Sequence, residues 1–170
     1  MDKISVILCT FKEKENIKIT LEKLLSYNIH EIIIVDDYSG DGTEDEVKKI
    51  NNDKIKFYQR KNKRGFASAL IDGLKVSKGN YILKFDIDMH ESIGIFFKAI
   101  ESNLNKDFII FSRYVEGGGD SRDNYRKIPS LLINKICQFF LSSNIKDYTS
   151  GIIYFNKYIS IFKIALINFF

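Results

Sequence analysis

The sequence predicts an α/β protein with an open, mostly parallel sheet flanked by helices on both faces. Two observations predict this class. Short apolar runs rich in β-branched and aromatic residues alternate along the chain with segments whose apolar residues recur at helical spacing. In addition, the run at 31–35 has four β-branched residues in succession, which is typical of strands covered on both faces, as in parallel sheets.

Six segments are predicted to be strands because each is short, apolar and rich in β-branched or aromatic residues. They are residues 4–8, 31–35, 55–58, 81–85, 108–111 and 152–155. Because they alternate with helical segments, we expect crossover connections and one sheet.

Five segments have the apolar periodicity of helices. They are residues 15–26, 44–50, 65–75, 91–104 and 124–141. Thr43, with Glu46 three residues on, predicts a capping box at the start of the second helix. Pro129 is expected to kink the fifth helix or to mark a restart within it.

Composition limits the class of protein. The chain has 170 residues, of which 45% are apolar, so we expect a single globular domain over residues 1–170. The net charge of +4 fits an anionic partner such as a phosphate or a membrane face. Nucleic acid is not expected, because no stretch interleaves basic and aromatic residues. Oligomeric state cannot be predicted from the sequence.

Cysteine usage and hydropathy predict a cytoplasmic location. Cys9 and Cys137 lie far apart without metal-ligand spacing, so we expect two reduced, buried thiols. The N-terminus leads directly into a strand, so we expect no leader. No apolar run reaches the ~20 residues that a spanning helix needs.

Polar loops follow three of the predicted strands. They contain residues 10–13, 36–37 and 86–90. Because ligands of open α/β sheets bind outside the carboxyl ends of the strands, we expect these loops to converge on one crevice.

The third of these loops contains the pair Asp86 and Asp88 at the end of an apolar strand. Side chains alternate along a strand, so the two carboxylates are predicted to point the same way. Mg²⁺ or Mn²⁺ would relieve their repulsion, and His90 could add a third ligand. Alternatively, the pair caps the following segment and His90 is a solvated loop residue. The basic run at 60–64 is interpreted as a solvated face, with a contact to a diphosphate as the alternative because a helix begins directly after it.

Several short motifs occur in order along the chain. They are Thr10-Phe11-Lys12-Glu13, Val35-Asp36-Asp37-Tyr38-Ser39-Gly40-Asp41-Gly42-Thr43, Gly65-Phe66-Ala67-Ser68-Ala69, Asp86-Ile87-Asp88, Ser112-Arg113-Tyr114, Arg126 and Asp147-Tyr148-Thr149-Ser150-Gly151. Together they resemble the loops of family 2 glycosyltransferases of the GT-A fold, a Rossmann-like architecture. The resemblance is greatest to dolichyl- or polyprenyl-phosphate mannose and glucose synthases, and it covers nearly the whole chain.

The resemblance implies a site for a nucleotide sugar of the GDP-mannose or UDP-glucose type. The implied nucleotide-binding residues are Thr10, Phe11, Glu13, Val35, Asp37, Asp86 and Ile87. Phe11 would line the base, while Glu13 and Asp37 would accept hydrogen bonds from base or ribose. Val35 and Ile87 would offer backbone groups. Asp86, Asp88 and His90 would hold Mg²⁺ or Mn²⁺ against the diphosphate.

The resemblance also implies an acceptor and a set of catalytic residues. The latter are Asp88, Arg113, Arg126 and Asp147. The two arginines would bind the phosphate of a polyprenyl or dolichyl phosphate at the cytoplasmic membrane face. If the acceptor were instead a sugar hydroxyl, Asp147 would be the candidate base.

Members of the family continue past the equivalent of Phe170. We therefore expect a domain that is truncated at its C-terminus relative to the family. A non-catalytic remnant that binds a nucleotide sugar or a partner remains the alternative.

Overall fold

The computed structural model describes residues 3–62, 64–116, 118–119, 123–141 and 145–158. Within these ranges the chain forms six strands and five α-helices. The strands are β1 (Ile4–Thr10), β2 (Glu31–Asp36), β3 (Ile55–Gln59), β4 (Tyr81–Phe85), β5 (Phe108–Ile110) and β6 (Ile153–Asn156). The helices are α1 (Lys14–Leu25), α2 (Thr43–Lys49), α3 (Phe66–Val76), α4 (Ile93–Glu101) and α5 (Asn124–Leu141). Every predicted strand and helix is present.

The strands form one mostly parallel sheet in the order β3-β2-β1-β4-β6-β5. β1 pairs in parallel with β2 and β4, β2 pairs in parallel with β3, and β4 pairs antiparallel with β6. Every residue of β2 is buried, as is every residue of β1 except Cys9. Because side chains alternate along a strand, both faces of these strands are covered. The predicted fold class is therefore confirmed.

The core on one face of the sheet joins β1 and β2 to α3. Ile7, Ile33 and Val35 pack in one buried cluster with Ala69. A Cβ atom on Gly73 would lie 2.8 Å from Cγ2 of Ile7, so glycine permits the close approach of α3 to the sheet.

The chain departs from the prediction directly after β4. Asp86 is extended, with φ −93° and ψ 129°, and Ile87–Ser92 form a 3-10 helix. A 3-10 helix turns about 120° per residue, so the strand alternation used to align Asp86 with Asp88 does not apply. That derivation is wrong, because the strand ends one residue before the pair.

The helix α5 runs on through Pro129, so the alternative of a restart is wrong, while the kink at Pro129 stays a prediction. None of the helices in the described ranges is both long enough and apolar enough to cross a membrane. The two cysteines are free but only partly buried, in contrast to the buried thiols that were predicted.

Two compact units can be distinguished. One comprises Met1–Ile109 with Ile153–Phe170, and the other comprises Ile110–Ile152. The prediction of one catalytic domain over residues 1–170 stays a prediction.

Candidate functional site

In the larger unit, the loop after β2 caps the helix that follows β1. The backbone N–H groups of Glu13 and Lys14 donate to Thr43 Oγ1 at 3.1 Å and to Asp41 Oδ2 at 3.3 Å. Asp41 Oδ1 also accepts from the N–H of Thr43 at 3.0 Å. The predicted capping box of Thr43 and Glu46 is therefore wrong, since Asp41 supplies the cap. These hydrogen bonds link the loop after β1 to the loop after β2.

Asp36 links the ends of β1 and β2 through hydrogen bonds. This buried carboxylate accepts from Thr10 Oγ1 at 2.8 Å and from the backbone N–H of Ser39 at 2.9 Å. The hydroxyl of Thr10, a predicted nucleotide ligand, is thus engaged in the protein. Lys12 and Tyr38 follow the two strands with positive φ angles of 62° and 56°. Residues other than glycine rarely adopt this left-handed backbone conformation, and when they do it is often at functional loops.

Asp37, the predicted acceptor for the base or ribose, is itself bound by the protein. Its Oδ1 accepts from Nε of Arg60 at 2.7 Å and also from Nη2 of Arg60. Its Oδ2 accepts from the backbone N–H of Gly65 at 2.7 Å. Arg60 is buried and also contacts Asp72 and Ser68. The interpretation of Arg60 as part of a solvated face is wrong, because two carboxylates hold it inside the fold.

A buried lysine in β4 contacts the predicted metal-binding loop. Lys84 is buried in β4, and its Nζ lies 2.5 Å from Oδ1 of Asp86 and 4.4 Å from the ring centroid of Phe66. Nδ1 of His90 lies 3.3 Å from the carbonyl oxygen of Ile87, which also accepts from Thr20 Oγ1. Among the described residues, no three His, Cys, Asp or Glu side chains form a group that could hold a metal ion.

Electrostatics show that the acidic loops lie near one another. The pKa of Glu13 is raised from its ordinary value of 4.5, first by burial and then by the negative charges of Asp88, Asp41 and Asp86. A hydrogen bond from the Asn16 side chain opposes this rise. Carboxylates of the other two loops therefore lie close enough to Glu13 to raise its pKa, which agrees with the predicted convergence.

Beside these acids lies an exposed aromatic side chain flanked by cations. Phe11 is 47% exposed. Nζ of Lys12 lies 5.5 Å and the guanidinium carbon of Arg64 5.4 Å from its ring centroid. Val35, whose backbone was predicted to contact the nucleotide, lies inside the sheet in register with Cys9 on β1 and Tyr58 on β3.

The smaller unit contains a second constellation centred on Asp147, which is fully buried. Arg113 donates to it bidentately, with Nε and Nη2 each 2.8 Å from a carboxylate oxygen. Thr149 donates to it through its N–H and its hydroxyl, at 3.1 and 3.0 Å. Arg113 Nη2 also donates to the carbonyl oxygen of Thr149 at 3.0 Å.

These bonds determine the protonation of Asp147. Burial alone would raise its pKa, but the hydrogen bonds from Arg113 and Thr149 prevail and lower it from 3.8 to about 2. A carboxylate this acidic, with both oxygens engaged, is a poor general base at neutral pH. The structure shows Asp147 holding Arg113 through two bonds, and the predicted role of Asp147 as a base stays a prediction. The side chain of Arg126 lies outside the described part of the structure.

Sequence reasoning missed two members of the larger site, Arg60 and Lys84. A signal for Lys84 was present, because a lysine in an apolar strand two residues before Asp86 must find a counter-charge when it is buried. Arg60 gave no comparable signal, since it opens a run of basic residues that resembles a solvated loop.

The sequence profile described as "Glycosyl transferase family 2" matches residues 5–161. A dolichol-phosphate mannosyltransferase of Pyrococcus furiosus is 32% identical over 158 residues, which cover 88% of this chain and 45% of that protein. A dolichol-phosphate mannosyltransferase of Saccharomyces cerevisiae is 32% identical over 136 residues, covering 74% of this chain and 51% of that protein. The chain thus spans about half the length of these relatives.

Solved structures show the same fold. Glucosyl-3-phosphoglycerate synthase of Mycobacterium tuberculosis superposes with a TM-score of 0.68 at 17% identity, covering 92% of this chain and 57% of that chain. A mannosyltransferase of Pyrobaculum calidifontis, solved with GDP-Man and Mn²⁺, superposes with a TM-score of 0.60 at 16% identity. That match covers 91% of this chain and 44% of the other. At these identities the likeness concerns the fold, which confirms the GT-A prediction.

Proposed function

Since the chain belongs to glycosyl transferase family 2, we propose that it transfers a sugar from a nucleotide sugar to a polyprenyl phosphate. The observation that carries this proposal is the exposed ring of Phe11, flanked by the cations of Lys12 and Arg64, beside Glu13, whose pKa is raised by burial and then by the charges of Asp88, Asp41 and Asp86. Such a set suits a base, a diphosphate and a divalent cation. The relatives named dolichol-phosphate mannosyltransferase support the choice of a lipid phosphate acceptor.

The donor side is supported by the loops after β1 and β3. The ring of Phe11 offers a face on which a base can stack, and Lys12 and Arg64 bring positive charge beside it. A donor of the GDP-mannose or UDP-glucose type carries both the base and the anionic diphosphate that this surface complements. Glu13 and Asp37 are proposed to accept hydrogen bonds from the nucleoside, with Asp37 positioned by Arg60.

The residues present fit Mg²⁺ or Mn²⁺. Such ions are usually bound by one or two carboxylates together with substrate phosphates rather than by a cage of protein ligands. Asp86 and Asp88 are hard oxygen donors, and Nζ of Lys84 lies 2.5 Å from Oδ1 of Asp86. When bound, the ion would stabilise the charge on the departing nucleoside diphosphate. His90 stays a candidate third ligand.

The acceptor side favours a phosphate over a sugar hydroxyl. A polyprenyl phosphate is already an anion at neutral pH and needs no strong base, whereas a hydroxyl does. Asp147, the candidate base, has a pKa lowered to about 2 by Arg113 and Thr149 after these bonds overcome the effect of burial. Arg113, fixed by Asp147, and Arg126 are proposed to bind the acceptor phosphate. The lipid acceptor would place the protein at the periphery of the cytoplasmic membrane face.

The proposal is tested by incubating the purified chain with labelled GDP-mannose or UDP-glucose, Mn²⁺ and polyprenyl phosphate, and by measuring label in the lipid extract. The variant Asp88→Ala is compared with Asp45→Ala, which removes an exposed carboxylate from α2. We expect labelled lipid from the parent chain and from Asp45→Ala, and a loss of at least about 100-fold in Asp88→Ala.

The other outcomes are equally informative. Undiminished transfer by Asp88→Ala would exclude it from metal binding. Calorimetric binding of the nucleotide without any transfer by the parent chain would instead support a binding module. Transfer to an oligosaccharide in preference to polyprenyl phosphate would overturn the assignment of the acceptor.

A further inference from the structure

Lys84 is a charged side chain in the interior of the larger unit. It lies in β4, in register with Ile7 on β1 and Ile153 on β6, and is 3% exposed. Because side chains alternate along a strand, Lys84 shares a face with Ile82, which belongs to the buried cluster between the sheet and α3. Burial of an ammonium group is costly unless a counter-charge compensates for it, so the partners of Lys84 determine its role.

The ammonium group of Lys84 contacts two side chains that reach solvent. Its Nζ is 2.5 Å from Oδ1 of Asp86, whose side chain is 41% exposed. The same Nζ is 4.4 Å from the ring centroid of Phe66, the first residue of α3, which is 52% exposed. A buried positive charge is therefore held between the predicted metal-binding loop and the beginning of α3.

Lys84 and a divalent cation would compete for Asp86. An Mg²⁺ or Mn²⁺ ion bound to Oδ1 of Asp86 at about 2.1 Å would lie within about 5 Å of Nζ of Lys84. Two positive charges at such a separation repel each other strongly in a partly buried site. The ammonium that Asp86 already holds should therefore weaken the binding of the ion by itself.

A diphosphate would remove this conflict. Arg64 lies two residues before Phe66, and the N-terminus of a helix of 11 residues such as α3 carries partial positive charge. An anion bound there would lie near the ammonium of Lys84 and give it a second counter-charge. Asp86 could then bind the ion, since small divalent cations are commonly held by one or two carboxylates together with substrate phosphates.

We propose that Lys84 is a donor-binding residue that links the diphosphate to the divalent cation. Without the donor, its ammonium group neutralises Asp86 and disfavours the ion alone. When the donor binds, the ammonium group pairs with the diphosphate, and the carboxylate of Asp86 becomes available to the ion. This inference rests on the proposed function, because the diphosphate is that of the nucleotide sugar.

The test is calorimetry without any acceptor. Mn²⁺ is titrated alone, and GDP and UDP are each titrated in the presence of EDTA. Lys84→Met removes the charge and keeps an unbranched apolar side chain, and its matched control Lys98→Met removes an exposed charge from α4. We expect Lys84→Met to bind Mn²⁺ several-fold more tightly and the better-bound nucleoside diphosphate about tenfold more weakly, and Lys98→Met to change neither affinity. A general disturbance of the fold would instead weaken both.

The parent chain supplies a second measurement that does not depend on the folding of a variant. By linkage, Mn²⁺ and the nucleoside diphosphate each raise the affinity for the other by the same factor. We expect the nucleoside diphosphate to raise the affinity for Mn²⁺ at least about tenfold, after correction for Mn²⁺ bound by free nucleotide.

A shift of both affinities in the same direction in folded Lys84→Met, or of neither, would overturn the proposal. A parent chain whose affinity for Mn²⁺ does not rise with nucleotide, or which binds neither GDP nor UDP in EDTA, would also overturn it. Opposite shifts in a chain that transfers no sugar would support the role of Lys84 and refute the proposed function. Sugar transfer by a chain in which Lys84→Met shifts neither affinity would do the reverse.

Discussion

Replacement of Asp147 by Asn tests the account of the Arg113–Asp147 pair. In the folded chain burial would raise the pKa of Asp147, yet the bonds from Arg113 and Thr149 lower it from 3.8 to about 2. At about 1.4 kcal/mol per pKa unit, this drop corresponds to about 2 kcal/mol of folding stability. We therefore expect Asp147→Asn to lower the free energy of unfolding by about 2 kcal/mol near neutral pH.

The pH dependence gives the sharper test. A depressed native pKa contributes stability that is complete above the unfolded pKa and is lost as the pH falls through the folded pKa. The difference between the parent chain and Asp147→Asn should therefore shrink from about 2 kcal/mol at pH 6 towards zero near pH 2. Urea unfolding followed by far-UV circular dichroism measures it. Asp123→Asn, which replaces an exposed carboxylate of the same unit, should show no such difference.

Two results would refute this reasoning. The first is an Asp147→Asn variant as stable as the parent chain near neutral pH. The second is a stability difference that does not change with pH, since it would have to arise from packing rather than from the charge of the carboxylate. If Asp147 were a general base, transfer by the folded variant would also fail at every acceptor concentration, whereas a positioning role predicts chiefly weaker acceptor binding.

Two further predictions concern the larger unit. Burial raises the pKa of the Cys9 thiol from 9.0 to about 11. In a Cys137→Ser background, iodoacetamide should therefore modify Cys9 about 100-fold more slowly in the folded chain than in the urea-unfolded chain. Equal rates would contradict the raised pKa. Lys84→Met removes the ammonium group 2.5 Å from Asp86 and should tighten Mn²⁺ binding several-fold in calorimetry. The control Lys98→Met removes an exposed charge from α4 and should leave the Mn²⁺ affinity unchanged. Unchanged Mn²⁺ affinity in Lys84→Met would show that the ion does not bind Asp86.

Hydrophobic periodicity was sufficient to predict the elements and their order. β2 is recognisable because its β-branched run has no polar interruption, and such a run suits a sheet covered on both sides. The same periodicity predicted that residues 124–141 form a helix. It could not predict which side of that helix is buried, because that side is held by two hydrogen bonds with backbone outside the helix. Asn134 Oδ1 accepts from the N–H of Tyr148, and Gln138 Nε2 donates to the carbonyl oxygen of Ile145.

The candidate site was harder to predict because its geometry depends on turns and on charge pairs. The position of Asp88 depends on the end of β4 at Phe85 and on the 3-10 helix that follows. A single sequence gives no strong signal for that change of backbone. The partners of Asp37 were equally hidden, since Arg60 lies 23 residues away and is brought to it by the parallel pairing of β2 with β3.

The ion pair between Asp37 and Arg60 predicts how substitutions at the two positions combine. Asp37 accepts from the N–H of Gly65 at 2.7 Å, and Nη2 of Arg60 donates to the carbonyl oxygen of Gly65 at 3.1 Å. An alanine at either position therefore releases the backbone at Gly65, and both variants should lose the proposed nucleotide affinity even if Asp37 does not contact the nucleoside. Their defects should be epistatic: the double variant should be little worse than either single one, as expected for residues that act as a unit. Additive defects would be the signature of a separate contact between Asp37 and the ligand.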